Sequence, residues 1–119
     1  MLISAAAVFL KKKATVNRWG KSSEAYLLCT SEHLSVKHEV VPAGDSEVMH
    51  YHQSCLQCFF ILRGNLQFII DDEMFSLNEN ESITILPGSR HLVKNVSSQT
   101  AEFLVISHPA INSDRINVS

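Results

Sequence analysis

The chain has 119 residues, of which 45% are hydrophobic and 18% are charged, and its formal net charge at pH 7 is -2. This length predicts one domain with a single core, and the charge argues against a nucleic-acid partner, which would need a concentrated basic surface. Three cysteines, an odd number, fit a reducing compartment better than a disulfide framework.

The N-terminal stretch from Leu2 to Leu10 is apolar and precedes a basic run, Lys11 to Lys13. A secretory signal carries its positive charges before the apolar segment rather than after it. The stretch is also far shorter than the roughly 20 residues that span a bilayer. We therefore expect a strand or a frayed arm, which could pair with a sheet edge of a second subunit, in a cytoplasmic protein without a membrane partner.

From Leu34 onward, short apolar or alternating runs are separated by turn-forming clusters. In chain order the runs are LSVKHEVV, EVMHYH, LQCFFIL, LQFII, EMFSL, ITIL, HLVKN and AEFLVIS. The turns at Gly64-Asn65 and Asp71-Asp72 suit hairpins between antiparallel strands, and no stretch keeps helical spacing over three turns. This rhythm predicts an all-β fold, either a sandwich or a small antiparallel barrel.

One domain over residues 1–119 accounts for this pattern, because no linker divides the chain. We predict an N-terminal arm and strands over residues 1–33, the barrel over 34–107 and a tail over 108–119. The last segment, NSDRINVS, is polar and is expected to lie over the surface.

His50 and His52 are the first candidates for a functional site. On a strand, residues i and i+2 point to the same face, so the two imidazoles project together. Two such rings can chelate one divalent ion. An isolated H-x-H pattern is nevertheless more often incidental than metal-binding. Whether these two histidines form a metal site therefore depends on the residues around them.

Cys55 and Cys58 form a C-x-x-C pattern next to the histidines. A zinc ribbon needs a second cysteine pair, and only Cys29 remains. A redox C-x-x-C normally begins a helix, whose dipole lowers the thiol pKa, whereas Cys58 lies inside an apolar run. We expect structural packing for the pair, with Cys55 near a turn and open to oxidation.

The histidines belong to a longer pattern, G-x5-H-x-H-x4-Q-x6-G, formed by Gly44, His50, His52, Gln57 and Gly64. It resembles the first motif of the cupin superfamily, where the Gln position is usually Glu. Further along, the spacing G-x2-H-x3-N of the second cupin motif is matched by Gly88, His91 and Asn95. Asn80 stands where that motif usually begins with a glycine.

The resemblance covers roughly residues 34–107 and implies a jelly-roll barrel, also called a double-stranded β-helix. It further implies one divalent transition metal ion (Zn, Ni, Fe, Co or Cu), with the ligands His50, His52, Gln57 and His91. The flanking segments RWGKSSEAYLL and EFLVISHPAINSDRI are similar to a bacterial subgroup of small single-domain cupins in which Gln is common at this position. Because an amide replaces a carboxylate, we expect weaker metal affinity and an ion that keeps its full charge, which favours an anionic ligand or a bound hydroxide.

Other residues are candidates for the ligand pocket or for the turns. Arg90 could meet a substrate carboxylate or phosphate, although its offset from His91 places it on the other face of a regular strand. Phe60 and Phe68 are core or sheet-packing positions that could also form an apolar pocket wall. The motif residues expected to be structural are Gly44, Gly64, Gly88 and Asn95.

Several functions remain open at this point. One is a metal-dependent enzyme, an oxygenase or an isomerase or epimerase, acting on a sugar or carboxylate compound. No carboxylate accompanies the expected ligands and no general base other than histidine is visible, which disfavours the isomerase. The alternatives are a non-enzymatic module that senses or stores a small ligand, and a metal-free pseudo-enzyme that only mediates assembly. A homodimer is expected, because a short chain leaves sheet edges that a second subunit could cover.

Overall fold

The computed structural model describes residues 5–110 and 114–118. Within these residues the chain forms a 3-10 helix and eleven strands. The helix is Lys11–Lys13, and the strands are β1 Val16–Trp19, β2 Ser23–Thr30, β3 Ser35–Val41, β4 His50–His52, β5 Leu56–Arg63, β6 Leu66–Ile70, β7 Glu73–Leu77, β8 Ser82–Ile85, β9 His91–Lys94, β10 Ala101–His108 and β11 Arg115–Asn117. No helix in the described ranges has the length and apolarity needed to cross a membrane.

The strands form two antiparallel sheets. The six-stranded sheet has the order β1-β2-β3-β10-β5-β8, and the five-stranded sheet has the order β11-β4-β9-β6-β7. Neighbouring strands in each sheet are often far apart in sequence, as where β10 lies between β3 and β5. This is the double-sheet arrangement of a jelly roll, and the predicted all-β fold is confirmed.

The core lies between the sheets and follows from the two-residue alternation of the strands. In β5, Phe59 and Ile61 are buried while Phe60 between them is only half-buried. The Phe59 ring lies 5.1 Å from the centroid of Phe68 and 5.3 Å from that of Phe103. These aromatic contacts tie the five-stranded sheet, through Phe68, to the six-stranded sheet.

The turn residues of the two motifs have the backbone conformations that their positions require. Gly64 has a φ of 78°, and an added Cβ would lie 3.1 Å from the carbonyl oxygen of Thr100, so a side chain would strain the backbone and crowd its neighbours. Asn80 has a φ of 69°. Asparagine is among the few residues that tolerate this left-handed region, so it can replace the glycine usual at that position.

Asn95 is a structural residue at the end of β9. It is 1% exposed, and its Nδ2 donates to the carbonyl oxygens of Val41 at 2.9 Å and Gln99 at 2.7 Å. Its Oδ1 accepts a hydrogen bond from the Ser97 amide at 3.0 Å. The side chain therefore fixes the loop between β9 and β10 against β3.

The N-terminal segment agrees with one of the two alternatives expected for it, an arm without regular structure, whereas the C-terminal segment differs from expectation. Residues 5–10 form neither strand nor helix, and Val8, Phe9 and Leu10 are exposed; residues 1–4 lie outside the described ranges. The expected surface tail instead contains β11, which pairs with β4 at the edge of the five-stranded sheet. Its three residues contain a single apolar one, Ile116, so the segment lacks the alternation by which a strand is recognised.

Candidate metal centre and its cavity

Three histidines from two neighbouring strands meet inside the barrel. His50 and His52 occupy alternate positions of β4, and both are buried. His91 begins β9, directly opposite His50 in the antiparallel pairing. The ring centroids are 4.4 Å apart for His50 and His91 and 5.3 Å apart for His50 and His52. One ring nitrogen of each histidine lies within 4.8 Å of those of the other two, a spacing that a single ion can bridge.

The second ring nitrogen of each histidine is held by an oxygen acceptor. The Nδ1 atoms of His50 and His91 lie 2.8 Å and 2.9 Å from the carbonyl oxygens of Val48 and Ser89. His52 Nδ1 lies 3.1 Å from Asp114 Oδ1. Because a carbonyl can only accept, Nδ1 of His50 and of His91 carries the proton, and Nε2 presents a lone pair. This is the arrangement by which outer partners orient metal-binding imidazoles.

Burial keeps the three imidazoles neutral. It lowers the pKa of His50 to about 3, and nearby positive charge adds to the effect. Burial also lowers the pKa of His91 and that of His52, although Asp114 partly opposes the shift in His52. Neutral imidazole is the form that binds a metal ion, so all three rings are competent ligands at neutral pH.

Gln57 supplies an amide to the same cavity as His50 and His52. It projects from β5 in the other sheet and is 5% exposed. Its Nε2 donates to Ser107 Oγ at 3.3 Å, whereas its Oε1 is buried with no hydrogen-bond partner among the described residues, as is Nε2 of His91. Such orphaned acceptors cost about 1–3 kcal/mol each. A divalent ion would satisfy both atoms, so these residues fit the metal that the sequence motifs imply.

His50 and His52 open onto a cavity of about 210 Å³ between the sheets. This is smaller than the roughly 300–1,000 Å³ of pockets for drug-sized ligands, so the cavity suits a small metabolite. Its lining combines apolar and polar groups: Asn17, Arg18, Trp19, Ala25, Lys37, Glu39, Glu47, His50, His52, Gln57, Phe59, Val105, Ser107 and Arg115.

Two carboxyl groups in this lining were not expected from the sequence. Glu39 lies on β3 and is 9% exposed, and its Oε1 accepts a hydrogen bond from Trp19 Nε1 at 2.8 Å. Glu47 precedes β4, and its Oε1 accepts from the amide of Val93 at 3.2 Å. Its Oε2 lies 4.0 Å from Nη1 of Arg115. The expectation that no carboxylate accompanies the ligands is therefore wrong.

Both carboxyl groups hold their protons more tightly than usual. Burial raises the pKa of Glu39 to about 7, against the opposing effects of Lys37 and the Trp19 indole. Burial raises the pKa of Glu47 to about 8, and the charge of Glu39 adds to the shift while Arg115 opposes it. The cavity therefore contains two acids that change their charge near neutral pH.

The sequence carried a signal for one of these groups. Glu39 is two residues before Val41 on the same strand, so it shares a face with a residue that is 0% exposed. A charged residue in phase with a buried one is an indicator of a functional interior position. Glu47 lies in a loop and Arg115 in the polar tail, where no periodicity distinguishes them.

The three residues expected at the ligand pocket lie elsewhere. Arg90 is exposed and lines a separate cavity with Asp71, whose Oδ1 accepts a hydrogen bond from the Arg90 amide at 3.0 Å. Phe68 is 0% exposed and belongs to the hydrophobic core. Phe60 points away from the face that carries Gln57 and Phe59, because alternate residues of β5 face opposite sides. Phe59 is the phenylalanine that lines the metal-site cavity.

The cysteines form no disulfide. Cys58 is half-buried within β5, and Cys29 is exposed. Cys55 is buried rather than open to solvent, because its amide donates to Asp114 Oδ2 at 3.0 Å and the C-terminal segment lies beside it. Burial also raises the pKa of the Cys55 thiol, which disfavours the reactive thiolate.

Comparisons with known proteins agree with this architecture. The sequence profile of the Cupin domain matches residues 37–107, more than half of the chain. The uncharacterised protein MJ1618 of Methanocaldococcus jannaschii is 27% identical over 75 residues, which are 63% of this chain and 60% of that relative. The chain thus spans less than two thirds of the relative's length.

Two solved structures have closely similar folds. PAC13 of Streptomyces, in a structure with uridine, superimposes with a TM-score of 0.83 at 14% identity over 97% of this chain and 92% of that chain. The polyketide cyclase RemF of Streptomyces resistomycificus gives a TM-score of 0.81 at 18% identity, over 96% of this chain and 86% of that chain. At these identities the likeness concerns the fold.

Proposed function

This chain belongs to the Cupin domain family, and on that premise we propose that it binds one divalent transition metal ion and holds a small anionic molecule beside it. The ligands are His50, His52, Gln57 and His91. The observation that carries the proposal is the convergence of three neutral imidazoles, each with its second ring nitrogen held by an oxygen acceptor. When bound, the ion would polarise an oxygen atom of the ligand.

The charges around the cavity support an anionic ligand. Three imidazoles and an amide carry no negative charge, so the ion would keep its full positive charge. Arg18, Lys37 and Arg115 line the same cavity and add three cations. Burial raises the pKa of Glu39 and that of Glu47 and so reduces their negative charge near neutral pH. PAC13 of Streptomyces, which has a similar fold, has a solved structure with uridine, a small polar molecule, and this supports a small polar ligand here. For this chain, sugar or carboxylate compounds are the chemical class that fits.

Metal content tests the first half of the proposal. Protein purified without added metal is analysed by mass spectrometry of its elements, beside the double variant His50→Ala/His91→Ala. We expect about one equivalent of Zn, Ni, Fe, Co or Cu in the wild type and little in the double variant. His33→Ala is the matched control, because His33 is exposed and pairs with Glu32 outside the cavity. Equal, near-zero metal in all three proteins would contradict the proposal.

A sensor or storage protein is the second candidate function, because a cavity that holds a small molecule can bind it without turning it over. A binding module is stabilised against heat by its ligand without forming product, whereas an enzyme also turns the ligand over and loses turnover in His91→Ala. Stable oligomers with neither metal nor ligand would indicate a pseudo-enzyme.

We also propose that two copies associate and that the protein acts in the cytoplasm. The adjacent exposed residues Val8, Phe9 and Leu10 support association, because exposed apolar clusters mark interaction sites. Three free cysteines support a reducing compartment. Sedimentation equilibrium of the full chain tests the dimer, and a monomer mass at micromolar concentration would contradict it.

A further inference from the structure

Glu39 and Glu47 are two acidic side chains in the cavity that the metal ligands do not require. We propose that they form the acid–base pair of a proton-transfer reaction on a small 2-oxo carboxylate, a compound with an acidic C–H group beside a carbonyl. This inference rests on the proposed function, because it places the substrate in the same cavity. It assigns a proton-transfer reaction to the site, although the sequence disfavoured an isomerase because no general base other than histidine was visible.

Each carboxyl group is fixed through one oxygen and leaves the other available. Trp19 Nε1 holds Oε1 of Glu39, and among the described residues Oε2 of Glu39 has no hydrogen-bond partner. The amide of Val93 holds Oε1 of Glu47, while Oε2 is only loosely approached by Arg115 at 4.0 Å. A carboxyl group with one anchored and one open oxygen is oriented for proton transfer to a bound molecule.

The two groups have complementary protonation states near neutral pH. Burial raises the pKa of Glu39 to about 7 and that of Glu47 to about 8, and the charge of Glu39 adds to the shift in Glu47, so near neutral pH the pair can hold one proton between its two carboxyl groups. One can act as a base while the other acts as an acid. The other ionisable groups that line the cavity, from β1, β3, β4 and β11, are Arg18, Lys37, His50, His52 and Arg115.

The proposed step balances without an oxidant or reductant. The Glu39 carboxylate takes a proton from the carbon next to the carbonyl, and the C–H electron pair forms a carbon–carbon double bond. The carbonyl π electrons move to its oxygen, which receives the Glu47 proton to give an enol. Glu39 is left protonated and Glu47 ionised, and the reverse transfers restore both groups.

The substrate class follows from the remaining lining of the cavity. Lys37 and Arg115 are cations that suit the carboxylate of the substrate. The volume of about 210 Å³ suits a short carbon chain. Trp19 and Phe59 supply apolar walls for the carbon chain of the substrate.

Hydrogen exchange in D2O tests the assignment with three probes: pyruvate, 2-oxobutyrate and 2-oxoglutarate. The holoprotein, loaded with the metal found on purification, is incubated with each probe, and proton NMR follows loss of the C3 hydrogen signals. We expect exchange above the buffer rate with at least one probe. Glu39→Gln should slow it by about 100-fold or more, the usual contribution of general acid–base catalysis. Glu47→Gln should also slow the exchange, because glutamine cannot donate the proton, and should remove the decline of the rate above pH 8.

The control variant is Glu102→Gln. Glu102 lies on β10 and pairs with His38 and Arg63 outside the cavity lining, so exchange should stay at the wild-type rate with an unchanged pH profile. Metal content and thermal stabilisation by each probe are measured on the same samples. If the wild type binds metal and a probe but shows no exchange, the acid–base pair alone is overturned. The same holds if Glu39→Gln exchanges at the wild-type rate. If the wild type binds neither metal nor any probe, the proposed function is overturned as well.

Discussion

Gln57 determines the charge of the candidate metal centre. Its Nε2 donates to Ser107, so the amide is oriented with Oε1 free and buried. The other three expected ligands are neutral imidazoles, and the whole ligand set therefore leaves the charge of the ion uncompensated. A carboxylate at the same position would bind the ion more tightly but would repel an anionic ligand beside it.

We expect Gln57→Glu to raise metal affinity about tenfold or more, equivalent to about 1.4 kcal/mol of binding free energy. The Ser107 hydroxyl can rotate from accepting the amide N–H to donating to the new carboxylate, so the substitution keeps its neighbour satisfied. Competition with a chromophoric chelator measures the dissociation constant. Gln67→Glu is the control, because Gln67 alternates with buried Leu66 and Phe68 and faces away from the core. Equal affinity of wild type and Gln57→Glu would show that residue 57 does not bind the ion.

At the scale of elements, β11 is a short strand with a direct contribution to the site. Asp114, just before it, accepts hydrogen bonds from the amides of Ser54 at 3.1 Å and Cys55 at 3.0 Å. The same carboxylate lies 3.1 Å from His52 Nδ1. Arg115, the first residue of β11, reaches the cavity and approaches Glu47. The C-terminal segment therefore both orients His52 and completes the cavity wall.

Asp114→Asn should lower metal affinity by about 10- to 100-fold, the range typical of removing a partner that orients a metal-binding histidine. The amide oxygen can still accept from a backbone N–H, so the local fold should persist while His52 loses its charged partner. Chelator competition measures the affinity, and circular dichroism checks the fold. Asp72→Asn, in the exposed turn before β7, is the matched control. An Asp114→Asn protein with wild-type affinity would show that His52 is held in place without this contact.

The sequence predicted the parts of the site that lie on strongly patterned strands. Alternation placed His50 and His52 on one face, and the motif resemblance joined them with His91 on a neighbouring strand. Arg115 could not be found in this way, because the pairing of β11 with β4 depends on non-local hydrogen bonds rather than on an apolar pattern. Arg90 was an expected cavity residue for its nearness to His91 in sequence, but it precedes β9 and remains at the surface.

At the scale of the whole molecule, enclosing the cavity between two sheets places ionisable groups in a poorly solvated interior. Burial disfavours the charged form of each group, so it lowers the pKa of His50 and raises those of Glu39 and Glu47. The stability of the metal-free protein must therefore depend on pH. The histidines reduce stability on the acid side, and the two glutamates reduce it on the alkaline side.

The two buried glutamates predict that the free energy of unfolding falls as the pH rises above neutral. The pKa values of Glu39 and Glu47 rise from 4.5 in the unfolded chain to about 7 and about 8 in the fold. The unfolded chain therefore releases these protons first, and stability that is fully present below pH 4.5 is lost as the pH rises through 7 and 8. Between pH 7 and 8.5 the free energy of unfolding of Glu39→Gln/Glu47→Gln, relative to wild type, should increase by roughly 1–2 kcal/mol.

Urea unfolding in the presence of a chelator measures this difference, and the histidine contributions cancel because both proteins contain them. Lys37, Arg115 and the Trp19 indole favour the ionised carboxylates, so they limit the difference without reversing its sign. In Glu102→Gln the free energy of unfolding should change with pH as in the wild type between pH 7 and 8.5. The reason is that the pKa of Glu102 is lowered, so this group is already ionised throughout. If the free energy of unfolding changed with pH equally in the wild type and in the double glutamine variant, both carboxyl groups would ionise as readily in the fold as in the unfolded chain. The cavity would then lack an acid at neutral pH.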